Sequence, residues 1–306
     1  MGSQEALTEQ TLRSRSDFLE LEELGEGSFS TVYLVSEKST SKKFALKQCY
    51  KAQILREKKV HQIFREKEIL SFLSTKEHAH PFIVQLYCTF QDQGCLYFVM
   101  TLALKRDLLG KLKKLKHLSV KQTIFVASEV TSALEHIHKF KIVHRDVKPE
   151  NILITETGHT LLSDFGCAKR LEEKPNDIVE EKPKEKGRRG SFVGTSYYVS
   201  PEILNGDEVT ISCDLWCLGV VIYQLLTGLK PFYDVSEYLT FQRILKCLYD
   251  FPSDFPSNDA RDLIEKLLVL DPNGRLGAHG AEELKSHPFF TDVRWEALPT
   301  IESPLL

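Results

Sequence analysis

A change of hydrophobic period near residue 100 limits the folds open to this chain more than any other feature. From Phe18 to about Phe98, apolar residues come in short β-prone runs, Val32-Tyr33-Leu34-Val35, Phe44-Ala45-Leu46 and Leu96-Tyr97-Phe98-Val99, separated by polar turns. One stretch breaks that pattern: Val60, Ile63, Phe64, Lys67 and Leu70 recur at helical spacing around Arg65 and Glu66. After Asp107 the pattern turns helical. Ile124, Val126, Val130, Ala133, Leu134 and Ile137 mark a long amphipathic helix, and Leu215–Leu226 and Leu263–Leu270 read as two more. The expected fold is therefore α+β and two-lobed. A flexible segment, 1–17, precedes a small β-rich lobe with one main helix, 18–103. A larger α-rich lobe follows, 104–290, and then a short tail, 291–306. A crevice between two such lobes is a natural ligand site.

Bulk properties exclude several classes. The 306 residues suffice for a well-buried core, and 42% hydrophobic with 27% charged residues is ordinary for a globular chain. A net charge of −3 gives no global attraction to nucleic acid or to an anionic membrane. The seven cysteines are scattered, without CxxC spacing, which favours reduced thiols in a cytoplasmic protein over a disulfide framework or zinc site. No apolar run approaches the roughly 18–20 residues that cross a bilayer, and the N-terminus lacks the apolar core of a signal peptide. Residues 172–189, nearly all charged or Pro/Gly, read as a mobile insertion in the larger lobe.

Three local patterns carry chemistry. In Gly25-Glu26-Gly27-Ser28-Phe29-Ser30-Thr31-Val32, glycines let backbone N–H groups approach a phosphate, and the strand that follows excludes a dinucleotide-binding loop, which needs a helix there. Phe44-Ala45-Leu46-Lys47 ends an apolar strand with an ammonium, and Glu66 on the neighbouring helix has the chemistry to orient it. The most specific pattern is His144-Arg145-Asp146-Val147-Lys148-Pro149-Glu150-Asn151, followed by Ser163-Asp164-Phe165-Gly166 and then Ser200-Pro201-Glu202.

Together these strings resemble the signature of the protein kinase superfamily over residues 18–295. Lys148 after the HRD triplet, with Gly194-Thr195 before Ser200, is similar to serine/threonine rather than tyrosine kinases. Leu267–Gly277 (LLVLDPNGRLG) and His287-Pro288-Phe289-Phe290 resemble the AGC group. Within it, Leu24–Val32, Ser191–Glu202 and Glu237–Gln242 resemble the 3-phosphoinositide-dependent kinases, Ser30 in the glycine loop included. The chain departs from the family at the charged insertion, at residues 74–78, at Thr101-Leu102-Ala103-Leu104 and at Cys167.

The resemblance implies an ATP- and Mg²⁺-dependent transfer of the γ-phosphoryl group to a protein serine or threonine. Asp146 would be the base, Lys148 would neutralise the transferred group, and Lys47 with Glu66 would anchor the α/β-phosphates. Asn151 and Asp164 would hold Mg²⁺. Nucleotide contacts would come from Leu24, Gly25, Glu26, Gly27, Ser28, Phe29, Ser30, Val32, Ala45, Lys47, Met100 (as gatekeeper), Thr101, Leu102, Ala103, Glu150, Leu153 and Ser163. The activation segment would run from 164 to 202. Ser191, autophosphorylated there, would meet Arg65, Arg145 and Lys169. The partners implied are protein substrates, other AGC kinases whose activation loops are modified and whose C-terminal hydrophobic motifs dock on the small lobe. That groove would use Lys51, Ile54, Leu55, Val60, Ile63, Phe64, Leu96 and Phe98, with Lys67, Thr89 and Gln91 at a phosphate subsite. Two rival readings remain at this level: a basophilic AGC kinase with another substrate, and a kinase-fold scaffold without turnover.

Overall fold

The computed structural model describes residues 13–171 and 197–306, so Ser191 and the charged insertion lie outside the described residues. In chain order the elements are β1 (Phe18–Glu26), β2 (Ser30–Glu37), β3 (Lys43–Tyr50), α1 (Lys51–Arg56), α2 (Val60–Leu73), β4 (Leu86–Gln91), β5 (Cys95–Met100), α3 (Leu108–Leu115), α4 (Val120–Lys139), β6 (Ile142–Val143), β7 (Ile152–Ile154), β8 (Thr160–Leu162), β9 (Lys169–Arg170), α5 (Pro201–Asn205), α6 (Ser212–Thr227), α7 (Glu237–Leu245), α8 (Asn258–Leu267) and α9 (Ala281–Lys285). They form two compact units. One holds the described residues up to Val60 together with Gln85–Leu102, and the other holds His61–Val84 and Ala103–Leu306.

The first unit is a five-stranded antiparallel sheet in the order β1-β2-β3-β5-β4. Period-2 alternation sorts its side chains onto two faces. Phe18, Val35, Leu46, Tyr97 and Val99 pack into one buried cluster, where Phe90 stacks on Phe18 at 5.7 Å and on Tyr97 at 4.8 Å between ring centres. The alternate residues occupy the other face. There Lys47 sits between Val32 and Phe98 in one cross-strand rung, and Ala45 between Leu34 and Met100 in the next. The β4–β5 turn is fixed by Asp92, whose carboxylate accepts the N–H groups of Gly94 (2.8 Å) and Cys95 (2.7 Å) and the Tyr97 hydroxyl (2.7 Å). Glu37, fully buried, anchors the start of the described chain by pairing with Arg13 and accepting the Tyr87 hydroxyl at 3.2 Å.

The second unit is mostly helical. A reciprocal cap starts α4: Ser119 Oγ accepts from Gln122 N–H, and Gln122 Oε1 accepts from Ser119 N–H. The helix α6 is apolar on all sides, and every residue from Ser212 to Leu226 is buried accordingly. The sequence reading of a helix over Leu263–Leu270 is displaced. The helix α8 begins at the Ser257 cap, which accepts from Ala260 N–H, and ends at Leu267, because Leu268 leaves helical backbone at ψ 60°. Among the described residues no helix is long and apolar enough to cross a membrane. All seven cysteines are free.

Gly228 closes α6 at φ +73°, and a Cβ there would lie 2.2 Å from the Lys116 carbonyl oxygen. Left-handed backbone strain and that overlap add in Gly228→Ala, so the variant should lose about 2–3 kcal/mol. A lowered urea midpoint with an unchanged slope would register the loss; an unchanged midpoint would contradict the close approach.

Candidate active site

The loop after β6 is shaped by a carboxylate from a distant part of the chain. Asp214, on α6, is fully buried. It accepts the backbone N–H groups of His144 (2.9 Å) and Arg145 (2.7 Å) and pairs with His138 Nε2 on α4 at 2.8 Å. Burial works to raise its carboxyl pKa, but the hydrogen bond and charge of His138, with His144, hold it below the usual aspartate value. Directly after these two N–H groups the chain turns, with Arg145 in a left-handed backbone at φ +66°. The His144 ring is then fixed twice. Its Nδ1 accepts from Asp146 N–H at 3.3 Å, so its Nε2 donates to Ser163 O at 3.0 Å. Its ring also meets the buried Phe165 edge-on at 4.9 Å.

Asp146 is thereby held at the end of a fixed turn, 7% exposed. Its Oδ2 accepts from Lys148 Nζ at 2.7 Å and from Asn151 Nδ2 at 3.0 Å. Its Oδ1 is buried and has no hydrogen-bond partner among the described residues. Burial pushes the Asp146 carboxyl above the ordinary aspartate value, and the charge of Asp164 adds to the push against the pull of Lys148 and His144. Asn151 also donates to Asp146 O at 2.8 Å, so its amide nitrogen is committed and its Oδ1 remains as an oxygen donor. Asp164, at φ +61°, accepts from Gly166 N–H at 3.3 Å through Oδ1. The set offered by Asn151 and Asp164 is all oxygen, which suits a hard cation such as Mg²⁺. Ser163 ties the two together, since its N–H and its hydroxyl both donate to Asn151 O, at 2.9 and 3.0 Å.

The other expected site residues fall as follows. Glu66, Ala103, Glu150 and Leu153 belong to the second unit with the loop, whereas Leu24, Gly25, Glu26, Gly27, Ser28, Phe29, Ser30, Val32, Ala45, Lys47, Met100, Thr101 and Leu102 belong to the first. The glycine turn is closed by Gly27 N–H donating to Ser30 O at 2.7 Å, and Phe29 O accepts from Tyr50 N–H at 3.0 Å. Thr101 is held by exchange with Gln85, N–H to O at 2.9 Å and Gln85 N–H to Thr101 Oγ1 at 3.1 Å. Of the expected phosphate cluster, Arg145 donates through Nε to Cys167 O at 2.5 Å, and Lys169 pairs in register with Val143. Burial, with the nearby charge of Arg65, lowers the Arg145 pKa. Of the expected groove, Ile54, Ile63 and Phe98 are buried, while Leu55 and Phe64 stand 66% and 64% exposed. Thr89, Gln91 and Leu96 fall on the Lys47 face of the sheet, Lys51 and Val60 are half-buried, and Lys67 is exposed.

Sequence reasoning missed Asp214, His138 and Arg275. Arg275 is 1% exposed and makes a bidentate pair with Glu202, 2.7 Å at each oxygen, while Nη1 and Nε donate to Ser212 O and Val269 O. The usable signal was a lone carboxylate in the otherwise apolar run of α6: buried charges are retained only when paired.

The chain belongs to the protein kinase family, whose protein kinase domain matches residues 18–290. Its class is that of ATP-dependent serine/threonine kinases of the AGC group. It is 46% identical over 286 residues to human 3-phosphoinositide-dependent protein kinase 1, covering 92% of this chain and 49% of that protein. To the human putative 3-phosphoinositide-dependent protein kinase 2 it is also 46% identical, covering 68% of that protein. Identity to the serine/threonine-protein kinase PKH1 of Saccharomyces cerevisiae is 40%, over 92% of this chain and 36% of that protein. The chain thus spans from about a third to two thirds of these relatives.

Asp214→Asn keeps the shape and removes the charge that two N–H groups and His138 face. The variant should be about 2–3 kcal/mol less stable at pH 7. A carboxyl whose folded pKa is depressed stabilises fully above the unfolded value, about 3.9, and loses that contribution as pH falls through its folded value. The gap between wild type and variant should therefore narrow below about pH 4. Denaturation curves with a pH-independent gap would contradict the ionised assignment.

Proposed function

We propose that this chain is the catalytic domain of a kinase that phosphorylates activation-loop serine or threonine in other AGC kinases and autophosphorylates at Ser191. The reading rests above all on Asp146 Oδ1, a buried carboxylate oxygen without a hydrogen-bond partner among the described residues, beside a fully engaged Oδ2. A substrate hydroxyl donating to Oδ1 would satisfy that atom and pass its proton there as its oxygen attacks the γ-phosphorus of ATP. Lys148, already on Oδ2, would stand next to the transferred group and offset its charge. Lys47 is the proposed phosphate anchor, with Glu66 as its orienting carboxylate, and the glycine-turn N–H groups would cover the phosphates. Asn151 and Asp164 would hold Mg²⁺, which when bound neutralises phosphate charge. For a phosphate on Ser191, the mutual repulsion of Arg65 and Arg145 supplies a reason to settle between them. We place the domain in the cytoplasm, in keeping with its free thiols.

Asp146→Asn should lower turnover by about 10²–10⁴-fold with the fold intact, and Lys47→Met should lower it by at least about 10²-fold. Because modification of Ser191 is autocatalytic, mass spectrometry should find phosphate there in the active enzyme and none in Asp146→Asn protein. The base acts deprotonated and its pKa is raised. The acid limb of kcat/KM should therefore lie above the ordinary aspartate value of about 3.9. Near-normal turnover by folded Asp146→Asn protein would overturn the assignment.

The proposed docking of a partner's Phe-x-x-Phe motif uses Ile54, Leu55 and Leu96 on the β-rich unit. Two aromatic rings would bury roughly 150–250 Å² each, about 7–12 kcal/mol gross at ~25 cal/mol/Å². Association costs of about 4–15 kcal/mol offset most of that, so capture should be weak and transient. A peptide with that motif and a flanking acidic residue should raise activity, and Leu96→Glu should abolish the response. A peptide that does not bind, or whose effect survives Leu96→Glu, would remove this part of the reading.

A further inference from the structure

The segment after the last helix is held by polar contacts as well as by burial. Ser303 is 6% exposed. Its hydroxyl donates to Gly158 O at 2.8 Å, in the β7–β8 turn, and accepts from Leu305 N–H at 3.1 Å. On either side, Lys111 Nζ of α3 donates to Leu305 O at 2.5 Å, and Gln122 Nε2 of α4 donates to Pro304 O at 3.0 Å. The seat is cut to one hydroxyl. Gly158 adopts φ +84°, and a Cβ there would lie 2.6 Å from Ser303 Oγ. Directly after this serine comes Pro304, and Ser-Pro is the dipeptide that proline-directed kinases accept in extended segments. We propose that Ser303 is a phosphoacceptor for a separate proline-directed serine/threonine kinase, and that its phosphorylation unseats the tail from the β7–β8 hairpin.

Residues 301–306 form neither helix nor strand. A few side-chain hydrogen bonds and the buried Leu305 keep the tail seated, so local opening that exposes Ser303 breaks no helix or sheet. In the open form Ser303 Oγ attacks the γ-phosphorus of ATP on the modifying kinase. The Oγ–P bond forms, the bond from that phosphorus to the β,γ-bridging oxygen breaks, ADP leaves, and the hydroxyl proton passes to that kinase's base. The product cannot reseat. It carries about −1.5 to −2 charges, and the group it would face is the Gly158 carbonyl oxygen, an acceptor with no proton to offer. Lys111, the cation on the neighbouring residue of the tail, is engaged with Leu305 O. The consequence reaches the site described above, because β7 carries Leu153 and β8 runs into Ser163 and Asp164.

The test uses the full 306-residue chain bearing Asp146→Asn, so that its own turnover plays no part and failure of the proposal stays distinct from failure of the kinase reading. Treated with a proline-directed kinase and ATP, it should gain one phosphate on Ser303 by mass spectrometry, and Pro304→Ala should cut the rate at least tenfold. Amide hydrogen exchange at residues 155–160 and 301–306 should then speed up about tenfold, and Ser303→Glu should reproduce the change without the kinase. If Ser303→Glu fails to fold, the enzymatically modified protein, folded beforehand, gives the same reading. Absence of phosphate on Ser303 in folded protein, indifference to Pro304→Ala, or unchanged exchange after modification would each overturn the proposal.

Discussion

A single buried carboxylate organises the helical unit. Asp214 lies in α6, which is otherwise apolar on the faces around it, and an ion there costs several kcal/mol in lost hydration. It persists because its oxygens face donors: two consecutive backbone N–H groups and an imidazole nitrogen. The second of those N–H groups belongs to Arg145, whose left-handed backbone turns the chain just beyond it, a strained state for a residue with a side chain. The hydrogen bonds between carboxylate and loop offset both the strain and the burial of the charge. Without the carboxylate the loop has no reason to hold φ +66°; without the loop the carboxylate has no partners. The positions of His144, Asp146 and, through His144 Nε2, Ser163 all follow from that exchange.

Two aspartates of one site are set apart by such surroundings. Asp214 is surrounded by donors and stays ionised despite complete burial. Asp146 is nearly as enclosed but has its two oxygens treated unequally, one engaged by Lys148 and Asn151 and one without a hydrogen-bond partner among the described residues, and its pKa rises. Burial outweighs the ammonium at 2.7 Å because half the carboxylate still lacks any stabilising contact. An acceptor in that condition gains most from a hydroxyl brought to it, which is the demand a general base makes of its environment.

Much of this was open to reading from the sequence, for a common reason. Period-2 runs in β2, β3 and β5 and period-3.6 runs in α2, α4 and α6 each bury one face or all faces, and burial on a face leaves a periodic trace. The HRD and DFG strings were legible because their spacing is short and local. Asp214, Arg275 and the seat of Ser303 were not, because their partners lie far along the chain: 70 positions separate Asp214 from His144, and 145 separate Ser303 from Gly158. Strands as short as β6 and β9 leave no period to detect. The displaced boundary of α8 has a different cause. Apolar residues continue to Leu270, but the Ser257 cap sets where the helix starts, and packing beyond Leu267 no longer needs helical backbone.

Arg275 and Glu202 extend the same logic to the segment from residue 164 to 202. Replacing a buried pair by apolar side chains is often neutral or stabilising, whereas removing one partner costs about 3–5 kcal/mol. The net stability gained from such a pair is therefore small, and its effect is positional. Glu202 begins α5 at the end of the segment, and Arg275, pinned by Ser212 O and Val269 O and lying over the Trp216 ring at 5.1 Å, admits that carboxylate in one orientation. At the opposite end, Arg145 Nε holds Cys167 O, and β9 pairs Lys169 and Arg170 with β6. Both ends of the 164–202 segment are therefore bound to the unit that carries Asp146. At the first end, the residue that binds is itself positioned by Asp214, through the backbone N–H of Arg145. The geometry of the loop after β6 and the anchoring of the segment thus meet in one residue, Arg145: its N–H is held by Asp214 and its guanidinium holds the segment.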